Sequence, residues 1–507
     1  GPPRHHPRWP IFLIATAQLI LHGLTNTNYG IFRDELYYLD CAAHPGWGYV
    51  DHPPLSIWLL SASRSSFGDS IQAIRVLSEL AGAALIIVTA LIAEELGGRR
   101  PAQIIAALCT ALAPALLIET GFFSMNAFDL LAWAVLFLLL TRQITRPDPR
   151  RWLTFGLVAG LGLLNKISVL FLGAGVAVSL LVTPLRSELR RWQLFAAAAI
   201  AAALFLPYIL WNAAHDWPTR EFMANARQFK IAPLTSLQFL GQQLMGLSPL
   251  LAPVWLIGLT WLLLPGQGAR FRPIAATYLV VLAILMFTKS KPYYGFPAYA
   301  PLFAAGGCAI EQFSNRLNAR WPIFAANAWI ILAGAATIPI AVPLLAPGDF
   351  LRYQHLLGSK PRAEEKNAVG EMPQYFADRF GWDNLARSVA DVYRALPESE
   401  KQRCIIFGSN YGETGAINYF GPRLNLPRAA SVHNNNYFWP PQITDPLVVI
   451  HIGGDKAGLE AIFKDVELAS IVRSQYAMPY ETNLPIYVCR GLKMPFADAW
   501  RSAKKFI

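Results

Sequence analysis

Charged residues are scarce in this chain of 507 amino acids. Only 15% of its residues are Asp, Glu, Lys or Arg, whereas 54% are hydrophobic and the mean hydropathy is +0.34. Soluble globular proteins carry about 25% charged and about 45 to 50% apolar residues. The composition therefore excludes an ordinary soluble protein. A content of 12% aromatic residues and long apolar runs also excludes a disordered chain. A lipid bilayer is the solvent that suits such a composition.

Cysteine is sparse too. The five cysteines show no CxxC motif and no Cys/His spacing typical of a metal site. Cys404 and Cys489 would be able to form a disulfide if their part of the chain lies outside the cytoplasm.

The positive charge has a particular distribution. A formal net charge of +11 would suit a nucleic-acid partner, but many arginines lie in short clusters between apolar runs. Such clusters are typical of the cytoplasmic loops of membrane proteins. We therefore expect membrane lipids, and no nucleic acid, as partners.

The apolar runs predict a polytopic α-helical membrane protein, because a spanning helix needs about 20 mostly apolar residues. The first run, after Arg4 and Arg8, lacks a small-residue cleavage site and is expected to be a retained helix, not a signal peptide. Eleven candidate spans lie at 9–28, 72–94, 101–118, 126–141, 152–165, 167–183, 193–212, 237–264, 273–288, 294–311 and 323–345.

The arginine clusters predict the orientation of these spans. If the N-terminus is cytoplasmic, every second loop should carry the positive charge. Eleven spans place every cluster in a cytoplasmic loop. The clusters are Arg99 and Arg100; Arg142, Arg146, Arg150 and Arg151; Arg186, Arg190 and Arg191; Arg270 and Arg272; and Arg316 and Arg320.

The composition becomes mixed and polar after the last span. Residues 1–345 are thus predicted to be a membrane domain, and residues 346–507 an extracytoplasmic domain on the periplasmic side. Strand-like segments at 404–407, 446–452 and 485–489 alternate with a helical segment at 412–420 and an amphipathic one at 457–472. This alternation favours a small α/β domain.

The long first external loop, 29–71, contains an acidic pair, Asp34 and Glu35, just beyond the first span. A carboxylate there would be able to act as a base on a substrate at the lipid boundary. Adjacent residues of a helix do not share a face, so we expect one carboxylate in the site and the other to orient a neighbour. A solvated loop turn is the more common explanation of such a pair.

The same loop contains Asp51 and His52 immediately before Pro53 and Pro54. Two prolines fix the backbone directly after two titratable groups. A substrate or metal contact and a rigid interfacial turn explain this motif equally well.

Basic residues also lie on the external side of the predicted spans. Lys289 and Lys291 precede Tyr293 and Tyr294 at the outer end of the ninth span. Snorkelling to lipid phosphate is one explanation, and a cradle for a substrate phosphate is the other. Positive charge is added on this side by Lys166, Arg220, Arg227 and Lys230.

Glu79 is an acidic residue within the second span and is therefore a candidate functional residue. A structural ion pair with Arg75, one turn away, is an equally good explanation.

Four motifs together resemble a known family: Arg33 to Tyr38 (RDELYY), Tyr49 to Leu55 (YVDHPPL), Gly162 to Lys166 (GLLNK) and Lys291 to Tyr294 (KPYY). In order and topology the chain resembles the bacterial family 39 glycosyltransferases of the GT-C fold, which include protein O-mannosyltransferases and lipid A aminoarabinose transferases.

This resemblance implies an inverting transfer of a sugar from a polyprenyl-phosphate donor to a lipid, glycan or protein acceptor at the periplasmic face of the inner membrane. Asp34 matches the catalytic carboxylate of the family. Tyr38, Lys291 and Tyr293 or Tyr294 match donor-phosphate contacts, and the other external cations would stabilise the departing phosphate.

The chain departs from the aminoarabinose transferases before the two prolines, where an acidic residue and Lys are replaced by Asp51 and His52. Asn225 lies near the position where a relative places a metal-binding His. The sequence leaves a divalent metal ion open, with Asp51 and His52 as the nearby pair.

Two other functional classes fit the sequence less well. A transporter or flippase of a polyprenyl-linked substrate would place polar residues at mid-membrane, often within inverted repeats, whereas here they gather at one rim and no repeat is visible. A membrane anchor for the external domain would not require eleven spans.

Overall fold

The computed structural model describes residues 8–361 and 365–507. Arg4, which was used to orient the first span, lies outside these residues. The membrane part and the segment after it contain seventeen α-helices: α1 (Trp9–Thr25), α2 (Arg33–Ala43), α3 (Leu55–Phe67), α4 (Ile71–Glu95), α5 (Arg100–Leu112), α6 (Pro114–Thr120), α7 (Met125–Thr145), α8 (Arg151–Asn165), α9 (Val169–Val182), α10 (Trp192–Ala214), α11 (Pro218–Asn225), α12 (Ser236–Gly246), α13 (Ala252–Leu263), α14 (Arg272–Phe287), α15 (Ala300–Arg316), α16 (Trp321–Ala341) and α17 (Pro347–Leu356).

The C-terminal part combines helices with one sheet. Its helices are α18 (Gln374–Ala377), α19 (Trp382–Ala395), α20 (Glu398–Lys401), α21 (Tyr411–Phe420), α22 (Lys456–Ile462) and α23 (Phe496–Ser502). Its strands are β1 (Cys404–Gly408), β2 (Ala429–Ala430), β3 (Val448–Ile452), β4 (Phe463–Arg473) and β5 (Asn483–Leu492).

Among the described residues, five helical segments are long and apolar enough to cross a bilayer: α4, α7, α10, α16 and the segment 267–287 that includes α14. Counting each of two bent pairs as one span gives seven. The predicted count of eleven is therefore not confirmed. The predicted span 237–264 is divided into α12 and α13, and α8 has 15 residues, or about 22 Å at 1.5 Å per residue.

The five strands form one mixed sheet in the order β2-β1-β3-β5-β4. The central strand β3 pairs in parallel with β1 and antiparallel with β5, so Ile450 lies between Ile406 and Val488. These three side chains are buried in a core that also includes Leu36 of α2. The strands predicted at 404–407, 446–452 and 485–489 are confirmed as β1, β3 and β5.

One expectation for the sheet region was wrong. The amphipathic segment 457–472 is helical only to Ile462 and then becomes β4, because its second half pairs along β5. The structure also answers the question of a disulfide between Cys404 and Cys489, which the sequence left open: both cysteines are buried and free. They lie on β1 and β5 with β3 between them, and two strand spacings of about 4.8 Å exceed the reach of a disulfide.

The sheet domain is packed directly on the predicted external loop. Helix α21 approaches α2 so closely that a Cβ atom on Gly415 would lie 2.8 Å from the backbone of Leu36. Side chains from α2, α3, α19 and the sheet share one hydrophobic core. This packing places the first residues of α2 next to the first residues of α21.

Candidate functional site

Helix α2 positions the acidic pair. Its first turn contains Asp34 and Glu35, where carboxylates interact favourably with the helix dipole. The Oε2 atom of Glu35 also accepts a hydrogen bond of 2.8 Å from the backbone nitrogen of Phe32, which caps the helix.

The two carboxylates have different surroundings. Glu35 is fully buried and forms a bidentate pair with Arg75 of α4, at 2.7 Å and 2.6 Å. It also accepts a hydrogen bond of 2.7 Å from the backbone nitrogen of Phe123. Asp34 is half-buried, and its Oδ1 atom accepts a hydrogen bond of 2.9 Å from the phenol of Tyr411. The Glu35 carboxylate, predicted as a catalytic group, is thus less accessible to a substrate than the Asp34 carboxylate. Its contacts place Glu35 to fix the start of α2.

The structural ion pair with Arg75, one of two explanations that the sequence left open for Glu79, is not formed among the described residues. Arg75 pairs with Glu35 instead and also donates to the backbone carbonyls of Asn26 and Gly30. Glu79 accepts a hydrogen bond of 2.8 Å from the side chain of Asn26.

Asp51 lies close to Asp34 through two tyrosines of α2. The Tyr37 phenol donates a hydrogen bond of 2.7 Å to Oδ1 of Asp51. Burial raises the pKa of the Tyr38 phenol, the charges of Asp34 and Asp51 raise it further, and the backbone of Met125 partly offsets both effects. The structure therefore brings the predicted residues Asp34, Tyr38 and Asp51 into one group.

His52 lies next to Asp51, with its Nε2 atom 4.0 Å from Oδ1 of that carboxylate. The ring is buried among the rings of Tyr37, Tyr38 and Tyr49, with centroid distances of 6.0, 5.1 and 4.9 Å. Its Nδ1 atom lies 2.9 Å from the carbonyl oxygen of Pro53. His52 thus packs among aromatic rings beside Asp51, and the role predicted for this pair stays a prediction.

Lys166 forms a buried cationic centre with two tyrosines. Its Nζ atom donates a hydrogen bond of 2.7 Å to Oδ1 of Asn126 and lies 3.5 Å from Oδ2 of Asp129. The same atom lies 5.0 and 4.7 Å from the ring centroids of Tyr293 and Tyr294. The motifs GLLNK and KPYY, more than 120 residues apart in the chain, therefore meet at one point.

Lys291 belongs to a second cationic pair. Its Nζ atom donates a hydrogen bond of 2.7 Å to Oε1 of Glu365. The same oxygen lies 3.7 Å from Nζ of Lys230. Burial opposes ionisation of Glu365, but Lys230 and Lys291 outweigh it and lower the pKa of its carboxyl group. The sequence reasoning missed Glu365 because nothing in its local pattern indicates that it meets two lysines distant in the chain.

The two cationic groups lie next to each other, and Glu365 is near enough to influence Tyr411, the partner of Asp34. Lys291 lies 5.9 Å from the Tyr293 ring, which Lys166 also faces. Burial raises the pKa of the Tyr411 phenol, and the charges of Asp34 and Glu365 raise it further while Arg33 opposes them. A half-buried carboxylate and a cluster of lysines and tyrosines therefore share one region between α2, α7, α21 and residues 291–294.

Three other predicted residues have different surroundings. Arg227 and Lys289 are exposed. The side chain of Asn225 donates a hydrogen bond of 2.8 Å to the carbonyl oxygen of Phe506, so it tethers the chain end. Within residues 8–361 and 365–507, no group of three or more His, Cys, Asp or Glu side chains is arranged to hold a metal ion.

Tyr411, Arg33 and Tyr480 form a contact that the sequence reasoning did not find. The guanidinium of Arg33 lies 4.8 Å from the Tyr411 ring centroid and 5.4 Å from the Tyr480 ring centroid. It also donates a hydrogen bond of 2.9 Å to the Tyr480 hydroxyl. These contacts hold the sheet domain against the start of α2.

Comparison with known proteins agrees with this fold. The family model of dolichyl-phosphate-mannose-protein mannosyltransferases matches residues 51–211. The lipid A galacturonosyltransferase RgtD of Rhizobium johnstonii is 28% identical over 232 residues, or 45% of this chain. The match spans about half the length of that relative, 49%.

Two crystal structures of ArnT from Cupriavidus metallidurans have a similar fold. The complex with undecaprenyl phosphate gives a TM-score of 0.63 at 14% identity, with 95% of this chain and 98% of that chain covered. The apo form gives 0.64 at 15% identity, with 95% and 97% covered. By its sequence and by its fold, the chain resembles the GT-C glycosyltransferases.

Proposed function

We propose that the protein is an inverting glycosyltransferase that moves a sugar from a polyprenyl-phosphate donor to an acceptor at the periplasmic face of the inner membrane. One observation carries this proposal: Asp34 is a half-buried carboxylate in the same region as the buried Lys166 and the half-buried Tyr293 and Tyr294. A base and a phosphate cradle are the two groups that such a transfer needs.

The relatives support the nature of the substrates. ArnT, which has a similar fold, was crystallised with undecaprenyl phosphate, and this favours an undecaprenyl-linked donor. RgtD is a lipid A galacturonosyltransferase, and this favours a glycolipid acceptor over a protein.

Asp34 is the base of the proposed reaction. Tyr411 occupies Oδ1, so Oδ2 is the atom placed to accept the proton of the acceptor hydroxyl. The acceptor oxygen then attacks the anomeric carbon on the face opposite the phosphate, and the bond between that carbon and the phosphate oxygen breaks. The configuration at the anomeric carbon is inverted, and polyprenyl phosphate leaves with the bonding electrons.

The lysine and tyrosine cluster stabilises the leaving phosphate. Lys166 and Lys291 are held in place by Asp129 and Glu365 before a substrate arrives. Fixed cations in a partly buried site lower the energy of developing negative charge more than solvated cations would. The hydroxyls of Tyr293 and Tyr294 add hydrogen-bond donors.

The same contacts support the proposed orientation in the membrane, given the predicted topology. The hydrogen bond between Asp34 and Tyr411 requires α2 and the sheet domain to lie on one side of the membrane. With a cytoplasmic N-terminus, that side is the periplasm.

The test is donor turnover by purified protein in detergent. The wild-type chain and Asp34→Asn are incubated with a panel of undecaprenyl-phosphate sugars and lipid A, and release of undecaprenyl phosphate is followed by mass spectrometry. We expect release by the wild type and a loss of about 10³-fold or more in the variant. Glu398→Gln, on the surface of α20, is the matched control. A wild type that moves the lipid across liposomes but releases no sugar would favour a flippase instead.

A further inference from the structure

A cavity of about 420 Å³ lies beside the C-terminal end of α2, between α21 and the segment that precedes β3. This volume is within the range of small-molecule sites, about 300 to 1,000 Å³. The cavity is separate from the cluster around Asp34 and Lys166. Its lining includes Asp40 and His44 from the end of α2 and Arg428, Asn436 and Trp439 from the sheet domain.

Asp40 is a buried carboxylate in the wall of this cavity. It accepts hydrogen bonds of 2.8 Å from Nδ2 of Asn418 and 3.3 Å from the guanidinium of Arg428. Burial raises the pKa of its carboxyl group to about 6, although these two partners lower it. Arg428 balances the charge of Asp40, so the lining favours a neutral polar ligand over an ion.

Asn436 presents an unused hydrogen-bond acceptor. The residue is 4% exposed, and its Nδ2 atom makes a long contact of 3.5 Å with Oδ2 of Asp40. Among the described residues, its Oδ1 atom has no hydrogen-bond partner. Buried polar atoms are normally hydrogen-bonded, so this amide oxygen is an unsatisfied acceptor in a residue that lines the cavity.

The other wall of the cavity is aromatic. The indole of Trp439 stacks on the His44 ring, with 4.1 Å between centroids and 15° between planes. Nδ1 of His44 lies 3.0 Å from the carbonyl oxygen of Asp40. Because a carbonyl oxygen only accepts, Nδ1 carries the proton and Nε2 of the neutral ring is an acceptor. A fixed indole surface beside several hydrogen-bonding groups suits a ring with apolar faces and a hydroxylated edge.

We propose that this cavity is a carbohydrate-binding site, in which a neutral pyranose ring packs against Trp439 while its hydroxyls bond to Asn436 and Asp40. Hydroxyl groups both donate and accept, as the carboxylate, amide and imidazole groups of the lining require.

The segment that contains Asn436 connects the cavity to the cluster around Asp34. The backbone nitrogen of Asn435 donates 3.3 Å to the hydroxyl of Tyr37, which in turn donates to Asp51. Asp34 and Asp40 are six residues apart on α2, or about 9 Å along its axis. The cavity is therefore placed to hold an inner sugar of the acceptor while another sugar reaches Asp34. This last role rests on the proposed glycosyl transfer, whereas the binding itself does not.

The binding is tested without donor or turnover. Saturation-transfer NMR and tryptophan fluorescence are recorded on the full chain in detergent with methyl glycosides of glucose, galactose, mannose and N-acetylglucosamine. We expect at least one glycoside to bind, and Trp439→Ala to weaken its binding by about tenfold. Trp47→Ala is the matched control, because Trp47 is 58% exposed and packs on Trp58 outside the cavity.

A second variant guards against misfolding. Asn436→Ala leaves the stacked pair of Trp439 and His44 in place and is also expected to weaken glycoside binding. Trp439→Phe keeps an aromatic ring and should bind the glycoside more tightly than Trp439→Ala does. The proposal is overturned if no glycoside receives saturation from the protein, or if Trp439→Ala and Trp47→Ala bind the glycoside with equal affinity.

Asp34→Asn separates this proposal from the proposed function. It should bind the glycoside as the wild type does while losing donor turnover. Normal glycoside binding together with no turnover in the wild type would leave the site standing and remove the transferase. For the acceptor role, Trp439→Phe should raise the KM for the glycan acceptor and leave the kcat nearly unchanged.

Discussion

The phenol of Tyr411, at the start of α21, donates a hydrogen bond of 2.9 Å to Oδ1 of Asp34, at the start of α2. The two residues are 377 positions apart in the chain. The bond joins the sheet domain to the carboxylate that we propose as the base, so the sheet domain contributes directly to the site.

The first prediction concerns this bond. Tyr411→Phe keeps the ring and removes the donor, so Asp34 loses a partner that fixes its orientation. Because hydrogen bonds to charged groups contribute about 1.5 to 3 kcal/mol, we expect kcat/KM to fall by about tenfold or more. Donor turnover is the measurement, with Tyr476→Phe of the same domain as control. An unchanged rate would show that the bond is unrelated to catalysis.

The second prediction separates Asp34 from Glu35. Glu35→Gln leaves Arg75 buried with its charge unpaired, and we expect it to lower the free energy of unfolding by about 3 to 5 kcal/mol. Asp34→Asn should leave stability nearly unchanged and stop turnover. Thermal unfolding in detergent measures the difference. The double variant Glu35→Gln with Arg75→Met should recover part of the lost stability. Equal stability of Glu35→Gln and Asp34→Asn would contradict the structural role assigned to Glu35.

The third prediction concerns the charge around the phosphate cradle. Glu365→Gln removes the negative partner of Lys230 and Lys291. Undecaprenyl phosphate should then bind about threefold more tightly, whereas Lys291→Met should weaken it by a similar factor, because each change shifts the local charge by one unit in a partly solvated site. Binding is measured in detergent at two salt concentrations. Weaker binding in both variants would indicate that Glu365 mainly positions Lys291.

The fourth prediction concerns two buried carboxyl groups of the sheet domain. Asn410 donates to both Glu413 and Glu481, at 2.7 and 3.1 Å. Burial is the main cause that raises both pKa values, and the pKa of Glu481 reaches about 7. Since the folded state binds the proton more tightly than the unfolded state, this contribution to stability is complete below about pH 4.5 and is lost as the pH rises through 7.

We therefore expect Glu481→Gln to reduce the loss of stability over this pH range, by on the order of 3 kcal/mol. The midpoint of thermal unfolding from pH 4.5 to 8 is the measurement, with the exposed Glu398→Gln as control. A wild type that gains stability through this range while Glu481→Gln does not would reverse the sign that we assign.

The fifth prediction concerns the close contact of α21 with α2. A methyl group at Gly415 would lie 2.8 Å from the backbone of Leu36, whereas nothing lies within 4 Å of such a group at Gly348 in α17. Gly415→Ala should therefore cost about 1 to 3 kcal/mol of stability and move Tyr411 away from Asp34, with a loss of turnover. Gly348→Ala should change neither quantity.

Much of the fold follows from local patterns. Apolar runs predicted a helical membrane part, and the helix at 412–420 and three strands lie where their residue patterns placed them. The segment 457–472 was misassigned because pairing with β5 overrides its helical periodicity. The count of spans was not confirmed because a break such as that between α12 and α13 depends on the packing of the helices.

For the site, the sequence by itself determined the residue types, their order along the chain and the position of Asp34 in the first turn of a helix. Only the tertiary structure decided the partners: Arg75 for Glu35, Glu365 for Lys291, and Tyr411 for Asp34. The physical reason is one of range. Periodicity and helix capping depend on neighbours within a few residues, whereas these pairs are 40 to 377 residues apart and form only when distant helices and the sheet domain pack together.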